Sequence, residues 1–349
     1  MPCVPSLIER LMLLTFNQGP GGMLDLLGAQ AFRATCVAVK LGVFEALKGG
    51  RLSASETARK IGADEQGTTL LLEALDALGY VKKKDNRFVN TPMTVKWLLL
   101  DSPTSLVHGL RFFESTVFER WGFLEESIRQ GRPKMCLQNW LDQQPDYWRT
   151  YQDGMMAVAR VVVDEVVARV KLPSNACRLL DVGGGHGLYS IKFCRRYPDL
   201  SSTVFDLPQA LAAAREIGAA AAAGDRIRQQ PGDFWRDDLG TSYDVALLFN
   251  IMHASLPEKN LELLTKVARA LNRGGLIVVM DQIAGNGIGP IGRVLVRLQG
   301  LNFFNDGGGR AYAFGEIVQW VTTAGFTNPR RIKLRRLTGF SLVLATKVA

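Results

Sequence analysis

Apolar positions follow a helical spacing through the first half of this chain. From Arg178 onward they give way to short apolar runs that alternate with helical segments. Between residues 20 and 48, Leu24, Leu27, Ala31, Phe32, Val37, Ala38, Leu41, Val43, Phe44 and Leu47 make one wide apolar face, which predicts a helix stopped by Gly49-Gly50. Ser53 to Gly62 reads as a short capped helix and Asp64 to Gly79 as a second. Tyr80 to Asn90 reads as a hairpin turning at Asp85-Asn86. Residues 91–172 read as a mostly helical connection that ends in a valine-rich helix over Val161 to Val170, with Pro173 and Ser174 marking a boundary. Strands are expected at Leu179–Val182, Ser202–Pro208, just before Gly232, Tyr243–Met252 and Leu276–Met280. Helices are expected at Leu188–Tyr197, Asn260–Leu271 and Phe314–Gly325. Arg330–Leu337 and Phe340–Lys347 can pair as a terminal hairpin. Gly285–Gly309 is a glycine-rich insertion, and the alanine run 219–223 reads as a helix end or turn surface. This alternation argues an α/β fold with a parallel sheet. The expected organisation is a helical domain over 1–100, a helical connection contributing to a pocket over 101–172, and the α/β domain over 173–349.

At 349 residues the chain can bury two cores, and 47% hydrophobic content with 21% charge is ordinary for a globular protein. The net charge of +9 is largely dispersed, apart from Lys82-Lys83-Lys84 and the run from Arg330 to Arg336. The second run is interleaved with apolar residues, as a half-solvated strand would be. A nucleic-acid patch is the alternative, and an acidic substrate would also benefit from the field. Five scattered cysteines without a C-x-x-C pair argue for reduced thiols in a cytoplasmic protein, against a disulfide framework or a zinc site, and no metal is expected. Leu7 to Phe16 can form an amphipathic helix. Glu9 and Arg10 interrupt any signal-peptide core, and nothing approaches a membrane span.

The segment Arg178-Leu-Leu-Asp-Val-Gly-Gly-Gly-His-Gly187 organises the second half: a strand, a glycine turn, then a helix whose free N–H groups face a ligand. Its glycines follow G-x-G-x-G, with Leu188 where a dinucleotide fingerprint needs glycine, so a nicotinamide cofactor fits poorly. Asp206 ends the next strand, where a carboxylate can accept both hydroxyls of a ribose. Gly232-Asp233-Phe234 then offers a carboxylate and an aromatic face suited to an adenine amine and ring. Helix, helix and hairpin over residues 51–90 make a winged helix-turn-helix, which raises a DNA-binding regulator. Yet the second helix carries Asp64, Glu65, Glu73 and Asp76, with no Arg or Lys between Gln66 and Gly79, so nucleic acid is not the expected partner.

Of the three histidines, His186 lies inside the glycine loop and reads as a backbone-shaping or solvent residue, and His108 as core or pocket lining. His253 falls just past the C-terminal end of a strand, where doubly wound folds place their active sites, and reads as a general base. Asp281, ending the next strand, is either the partner that fixes its tautomer or a solvated carboxylate.

In these motifs the chain resembles the two-domain small-molecule O-methyltransferases of the caffeic-acid and hydroxyindole type and their bacterial relatives. The resemblance rests on Leu180-Asp-Val-Gly-Gly-Gly-His-Gly187, Phe205-Asp-Leu-Pro208, Gly232-Asp-Phe234, Met252-His253 and Gly274-Gly275 before the strand ending in Asp281. It implies a Rossmann-like domain binding S-adenosylmethionine (SAM), with an antiparallel last strand, preceded by a winged-helix domain that forms a homodimer and does not bind DNA. The cofactor set is then Asp181, Gly183 (at the methionine end), Gly185, Asp206, Leu207, Gly232, Asp233, Phe234 and Asn250, with His253 as base. Met155 matches a family position near the transferring methyl, and Asn305 one that touches substrate. Phe112, Tyr151, Met155, Met156, Trp235 and Asn305 are the candidates for a pocket holding an aromatic small molecule. Three departures stand out. Ala254-Ser255 replace the usual Asp-Trp, Asp281 replaces a Glu, and no carboxylate occupies Gly309-Arg310-Ala311-Tyr312, where the family places a second acid beside the histidine. The leading expectation is O-methylation in secondary or pigment metabolism. Transfer to carbon or nitrogen, a SAM-sensing regulator and a pseudoenzyme are the competing readings.

Overall fold

The computed structural model describes residues 6–16, 21–216, 224–287 and 289–348. Cys3 and the alanine run 219–223 lie outside the described residues. The chain divides into two compact units, the first ending at Glu114 and the second starting at Ser115.

In the first unit the long predicted helix is broken. Gly22–Leu41 ends at Gly42, whose φ of 75° puts it in the left-handed region, and a new short helix begins at Val43. A left-handed residue directs the chain out of the helix axis, so the apolar face continues but the axis does not. Ser53 and Glu56 form a reciprocal capping box on Ala54–Ile61, and Asp64 caps Glu65–Ala77 through the Gly67 N–H. Strands β1 (Val81–Lys84) and β2 (Arg87–Asn90) pair antiparallel around Asp85 and Asn86, both with positive φ. Ala38, Phe44, Leu47, Leu72, Leu75, Val81 and Phe88 close one core among these elements. Among the described residues no single helix is long and apolar enough to cross a membrane.

The second unit is a seven-stranded sheet flanked by helices. Its strands are β3 (Arg178–Val182), β4 (Ser201–Asp206), β5 (Ile227–Pro231), β6 (Tyr243–Phe249), β7 (Leu271–Gln282), β8 (Phe326–Lys333) and β9 (Phe340–Lys347), in the spatial order β5-β4-β3-β6-β7-β9-β8. Strands β3 to β7 are parallel neighbours, and β9 pairs antiparallel with both β7 and β8. Successive side chains on a strand point to opposite faces, and here both faces are dry. Leu180, Val182, Ala246, Leu248, Ile277, Val279 and Val343 join the helices Pro257–Ala270 and Phe314–Thr323 on one side. Leu179, Val245, Leu247, Val278, Met280 and Leu344 meet the valines of Asp146–Arg169 and the helix Leu188–Arg196 on the other. The valine-rich helix before Pro173 is thus part of this unit's core. Within the glycine-rich insertion, Gly289–Gly307 forms a continuous helix. Its glycines each lower helix propensity, but tertiary packing overrides propensity.

Phe193 has no exposed surface between the Asp146–Arg169 helix and the sheet. Phe193→Ala is expected to destabilise the second unit by about 3–5 kcal/mol, read as a lowered calorimetric midpoint. Ser53→Ala, which removes only a cap, is expected to cost about 1 kcal/mol. Equal effects of the two substitutions would contradict the packing described.

Candidate functional site

The parallel strands end on one edge, and the candidate residues are carried there by the loops that leave β3, β4, β5, β6 and β7. The turn after β3 is tied to β4. The Gly183 N–H donates to Phe205 O (2.8 Å) and the Gly185 N–H to Asp206 Oδ2 (2.8 Å). Gly185 has a φ of 45°, and a Cβ there would stand 2.6 Å from Gln152 Oε1, so this corner admits only glycine. His186 is buried, its Nδ1 accepts the Leu188 N–H (3.1 Å), and burial, then the Arg160 charge, hold its imidazole down at about 4. It is a neutral cap on the helix that follows the loop.

Asp206 is buried, with Oδ1 on the Leu207 N–H (2.7 Å) and Oδ2 on the Gly185 N–H. Burial pushes its carboxyl up to about 6, opposed by these two hydrogen bonds. Each oxygen retains a lone pair, as two ribose hydroxyls require. After β5, the Trp235 N–H donates to Asp233 Oδ1 (2.9 Å) and the Asp233 N–H donates to Asp237 Oδ2 (2.8 Å). The Phe234 ring edge lies 3.4 Å from where a Gly183 Cβ would be, beside Ile251. Gly232 is required because a Cβ would fall 2.4 Å from the Phe205 ring. A bare glycine turn, a carboxylate with free lone pairs and an aromatic face along one strand edge fit an adenosine-bearing ligand such as SAM.

Asp181 has a different place. It is buried beneath the glycine turn, accepts from Ser190 Oγ (2.7 Å), and burial pushes its carboxyl up to about 7. It braces the loop from below. Asn250 is exposed with a φ of 59°, and its N–H donates to Met280 O (2.8 Å), so its backbone conformation shapes the turn after β6.

His253 stands on the short turn Met252–Ala254 that follows β6. Its Nδ1 lies 2.7 Å from Asp281 Oδ1, and its backbone N–H donates to Asp281 Oδ2 (3.1 Å). Asp281 is buried and also accepts the Gln282 N–H (2.7 Å). A carboxylate only accepts, so Nδ1 carries the proton and Nε2 keeps its lone pair. The shorter acid at this position still reaches the ring. Phe303 stacks on the imidazole, 3.7 Å between centroids and 18° between planes.

The pocket candidates are less uniform. Phe112 is buried in the first unit, its ring 5.7 Å from that of Phe113. Tyr151 is turned toward the strand edge: burial raises its phenol, and the charges of Asp206 and Asp306 add to the effect. Met155 and Met156 lie a turn further along the same helix, Met155 half-buried and Met156 buried. Trp235 is directed elsewhere. Its ring is 4.9 Å from that of Phe234, and it lines a surface cleft of about 480 Å³ with Glu258, Leu261 and Lys266. Asn305 is buried with its amide committed to the protein, Nδ2 donating to Arg120 O (3.0 Å) and Oδ1 accepting from Ser127 Oγ (2.8 Å). Each of these two atoms keeps one further hydrogen-bonding position, so the amide is anchored without being used up.

Sequence reasoning passed over Arg120, Asn302, Phe303 and Asp306. Arg120 has no exposed surface, and its Nε and Nη2 both donate to Asp306 Oδ1 (2.9 and 2.6 Å). Asn302 Nδ2 donates to Asp306 Oδ2 (2.7 Å), and Trp121 Nε1 donates to Asn302 Oδ1 (2.8 Å). The signal was an arginine amid Phe118, Trp121 and Phe123, since an arginine in an apolar stretch needs an acid partner. That acid lies 186 residues away, within the glycine-rich segment.

Residues 121–327 match the O-methyltransferase domain model, and residues 25–100 match the O-methyltransferase dimerisation domain model. The 3-hydroxy-5-methyl-1-naphthoate 3-O-methyltransferase of Streptomyces sahachiroi is 29% identical over 302 residues, covering 85% of this chain and 86% of that relative. The L-tyrosine C(3)-methyltransferase of Streptomyces lavendulae is 26% identical over 341 residues, covering 92% of this chain and 91% of that relative. The crystal structure of human N-acetylserotonin methyltransferase in complex with SAM superposes with a TM-score of 0.83 at 24% identity, over 100% of both chains, and shares the fold. The glycine turn and its adenosine-compatible edge thus lie within a matched domain that spans more than half of the chain, and the protein belongs to the family of SAM-dependent O-methyltransferases.

Proposed function

We propose that this protein methylates a hydroxyl of an aromatic or polycyclic small molecule, with His253 as the general base. The observation that carries this reading is the 2.7 Å contact between His253 Nδ1 and Asp281 Oδ1, which leaves Nε2 basic at the edge where the strands end. Asp206 would hold the ribose hydroxyls, Asp233 and Phe234 the adenine, and Gly183 the methionine end. Bound there, SAM supplies a methyl group on a sulfonium sulfur as the electrophile. His253 Nε2 would take the substrate O–H proton as the oxygen bonds the methyl carbon and the sulfonium S–C bond breaks, with S-adenosylhomocysteine as the leaving group, and Asp281 would hold the ring in the productive tautomer and favour the imidazolium. Tyr151 and Met155 would form the wall that brings the hydroxyl close to the methyl. The Streptomyces sahachiroi relative is named for a 3-O transfer to a hydroxynaphthoate, which makes hydroxynaphthoates and naphthols the first substrates to test. The match of residues 25–100 to a dimerisation domain supports a homodimer.

A second reading, transfer to carbon, is favoured by one observation: a relative covering 92% of this chain is named as a C-methyltransferase. His253 would then polarise a hydroxyl beside the reacting ring carbon. The two readings separate when methyl-labelled SAM is incubated with a panel of phenols and naphthols and the attachment atom is read by carbon NMR. Label on oxygen supports the proposal, and label on carbon transfers the assignment to the second reading. His253→Ala is expected to lower the transfer rate by roughly 10²–10⁴-fold, the usual contribution of a general base. Transfer at wild-type rate in that variant would remove the base role.

Cofactor binding provides an independent test. Ribose hydroxyls donate to the ionised form of Asp206, whose carboxyl is raised to about 6. Protonation therefore competes with binding, and SAM affinity is expected to hold above this value and to fall as pH drops through it, by up to about tenfold per unit. Asp206→Asn should weaken binding at neutral pH and flatten the pH dependence. Calorimetric titration at pH 5 and pH 7.5 measures both effects, and a wild-type affinity equal at the two values would refute the assignment.

A further inference from the structure

The acid missing from Gly309–Tyr312 leaves His253 with one carboxylate by sequence, and the structure closes position 309 to any side chain. A Cβ on Gly309 would stand 2.1 Å from His253 O and 2.7 Å from Ser255 N. The neighbouring charged group, Arg310, is ion-paired to Glu316 (2.7 Å), and Tyr312 donates its hydroxyl to Ser255 O (2.5 Å). Another acid approaches the ring from the preceding turn of the same segment. The last turns of Gly289–Gly307 lie directly on the His253 turn. Phe303 stacks on the imidazole, and a Cβ on Gly307 would meet Ala254 O at 2.2 Å. Asp306 is three residues beyond Phe303, so the two share a helix face. Its carboxylate bears electrostatically on both the His253 ring and the Tyr151 phenol. Tyr151 in turn feels Asp206.

We infer that Asp306, anchored by Arg120 and Asn302, is a positioning residue that supplies the second negative charge favouring the imidazolium of His253 during proton abstraction. The inference rests on the base role proposed above. The anchoring is specific. Arg120 has no exposed surface and directs two N–H groups to Oδ1, and Asn302 secures Oδ2. A carboxyl buried without partners would neutralise itself, and burial does push Asp306 upward. The Arg120 charge and hydrogen bonds, then Asn302 and His253, oppose that push without cancelling it, so the carboxyl stays above its usual value. Arg120 is itself fixed in place. Its Cζ lies 5.6 Å from the Trp140 ring, Nη2 also reaches Met135 O (3.3 Å), and Nη1 is buried without an acceptor. Retaining a buried guanidinium with an unpaired nitrogen is expensive unless the carboxylate it secures is needed. Two other ionisable groups lie nearby. Tyr312 feels Asp281 and Glu258, and Asp281 contacts the ring directly.

The test compares wild type, Asp306→Asn, Asp306→Glu and His253→Ala. Asn preserves the shape and can still accept from Arg120, but it leaves the buried guanidinium without its counter-charge, so the thermal midpoint should fall while SAM affinity, measured below that midpoint, stays close to wild type. The substrate-independent readout is the nitrogen-15 NMR titration of the His253 ring, assigned by its absence in His253→Ala. In Asp306→Asn its midpoint should move to lower pH than in wild type, and in Asp306→Glu it should return toward wild type. The kinetic readout uses 2-naphthol and a more acidic nitro-substituted naphthol. Asp306→Asn should lower kcat about tenfold or more on the less acidic substrate with little change in KM, and much less on the nitro compound, whose oxygen is already ionised. A purely structural role would lower both rates together. An unmoved titration midpoint in a folded Asp306→Asn protein overturns the inference while leaving the base role intact if His253→Ala is inactive. Transfer that survives His253→Ala removes the base role first and this inference with it.

Discussion

Burial of carboxylates at the ends of parallel strands is the constraint on which this site depends. Asp181 and Asp206 close β3 and β4, and Asp281 lies near the end of β7, all withdrawn from water. A charge so placed must be met by donors, and the donors are the loops themselves. Gly185 and Leu207 meet Asp206, Ser190 meets Asp181, and His253 with Gln282 meets Asp281. Each acid thereby fixes the conformation of the loop beside it. The glycine turn and the histidine turn are thus each tied to a buried acid.

The sheet makes this arrangement possible. Because β3 to β7 are dry on both faces, their backbone positions are set by two cores, and their ends form a rigid edge from which loops of only a few residues project. β9 runs antiparallel between β7 and β8, which lets the chain return and cover the far side of β7. The Gly289–Gly307 helix occupies the crossing before that return, and its glycines permit backbone-to-backbone approach at the His253 turn. The end of this glycine-rich helix lies where it comes closest to the His253 turn.

Charge behaves differently in the two parts of the site. At the ends of β3 and β4, Asp206 is met by neutral backbone N–H groups and Asp181 by a serine hydroxyl, so burial raises both, and Asp206 keeps lone pairs available for hydroxyls. Beside His253 the acids meet charged or aromatic partners: Asp281 meets the imidazole, Asp306 meets Arg120, and Phe303 covers the ring face. The first environment suits recognition of a polyol. The second suits a proton that must be taken up and held while a bond forms.

The strand-turn-helix around Gly183 to Gly187, the acids at positions 206, 233 and 281, the histidine at 253 and the hairpin at Asp85-Asn86 were legible in the sequence, because each depends on local rules. Periodicity marks strands and helices, glycine marks forced turns, and polar residues at strand ends mark a functional edge. The break at Gly42 was not legible, since a single glycine inside an apolar face is compatible with a continuous helix until packing selects the left-handed conformation. Nor was the helix at Gly289–Gly307, where tertiary contacts override propensity. Trp235 and Asn305 stood out by type and by their nearness to the motifs, but their partners were not legible: Trp235 packs toward the Pro257–Ala270 helix, and Asn305 hydrogen-bonds Ser127 and Arg120. The pairing of Arg120 with Asp306 spans 186 residues. No local pattern encodes which buried cation meets which buried anion; only the folded core, by excluding water from both, determines it.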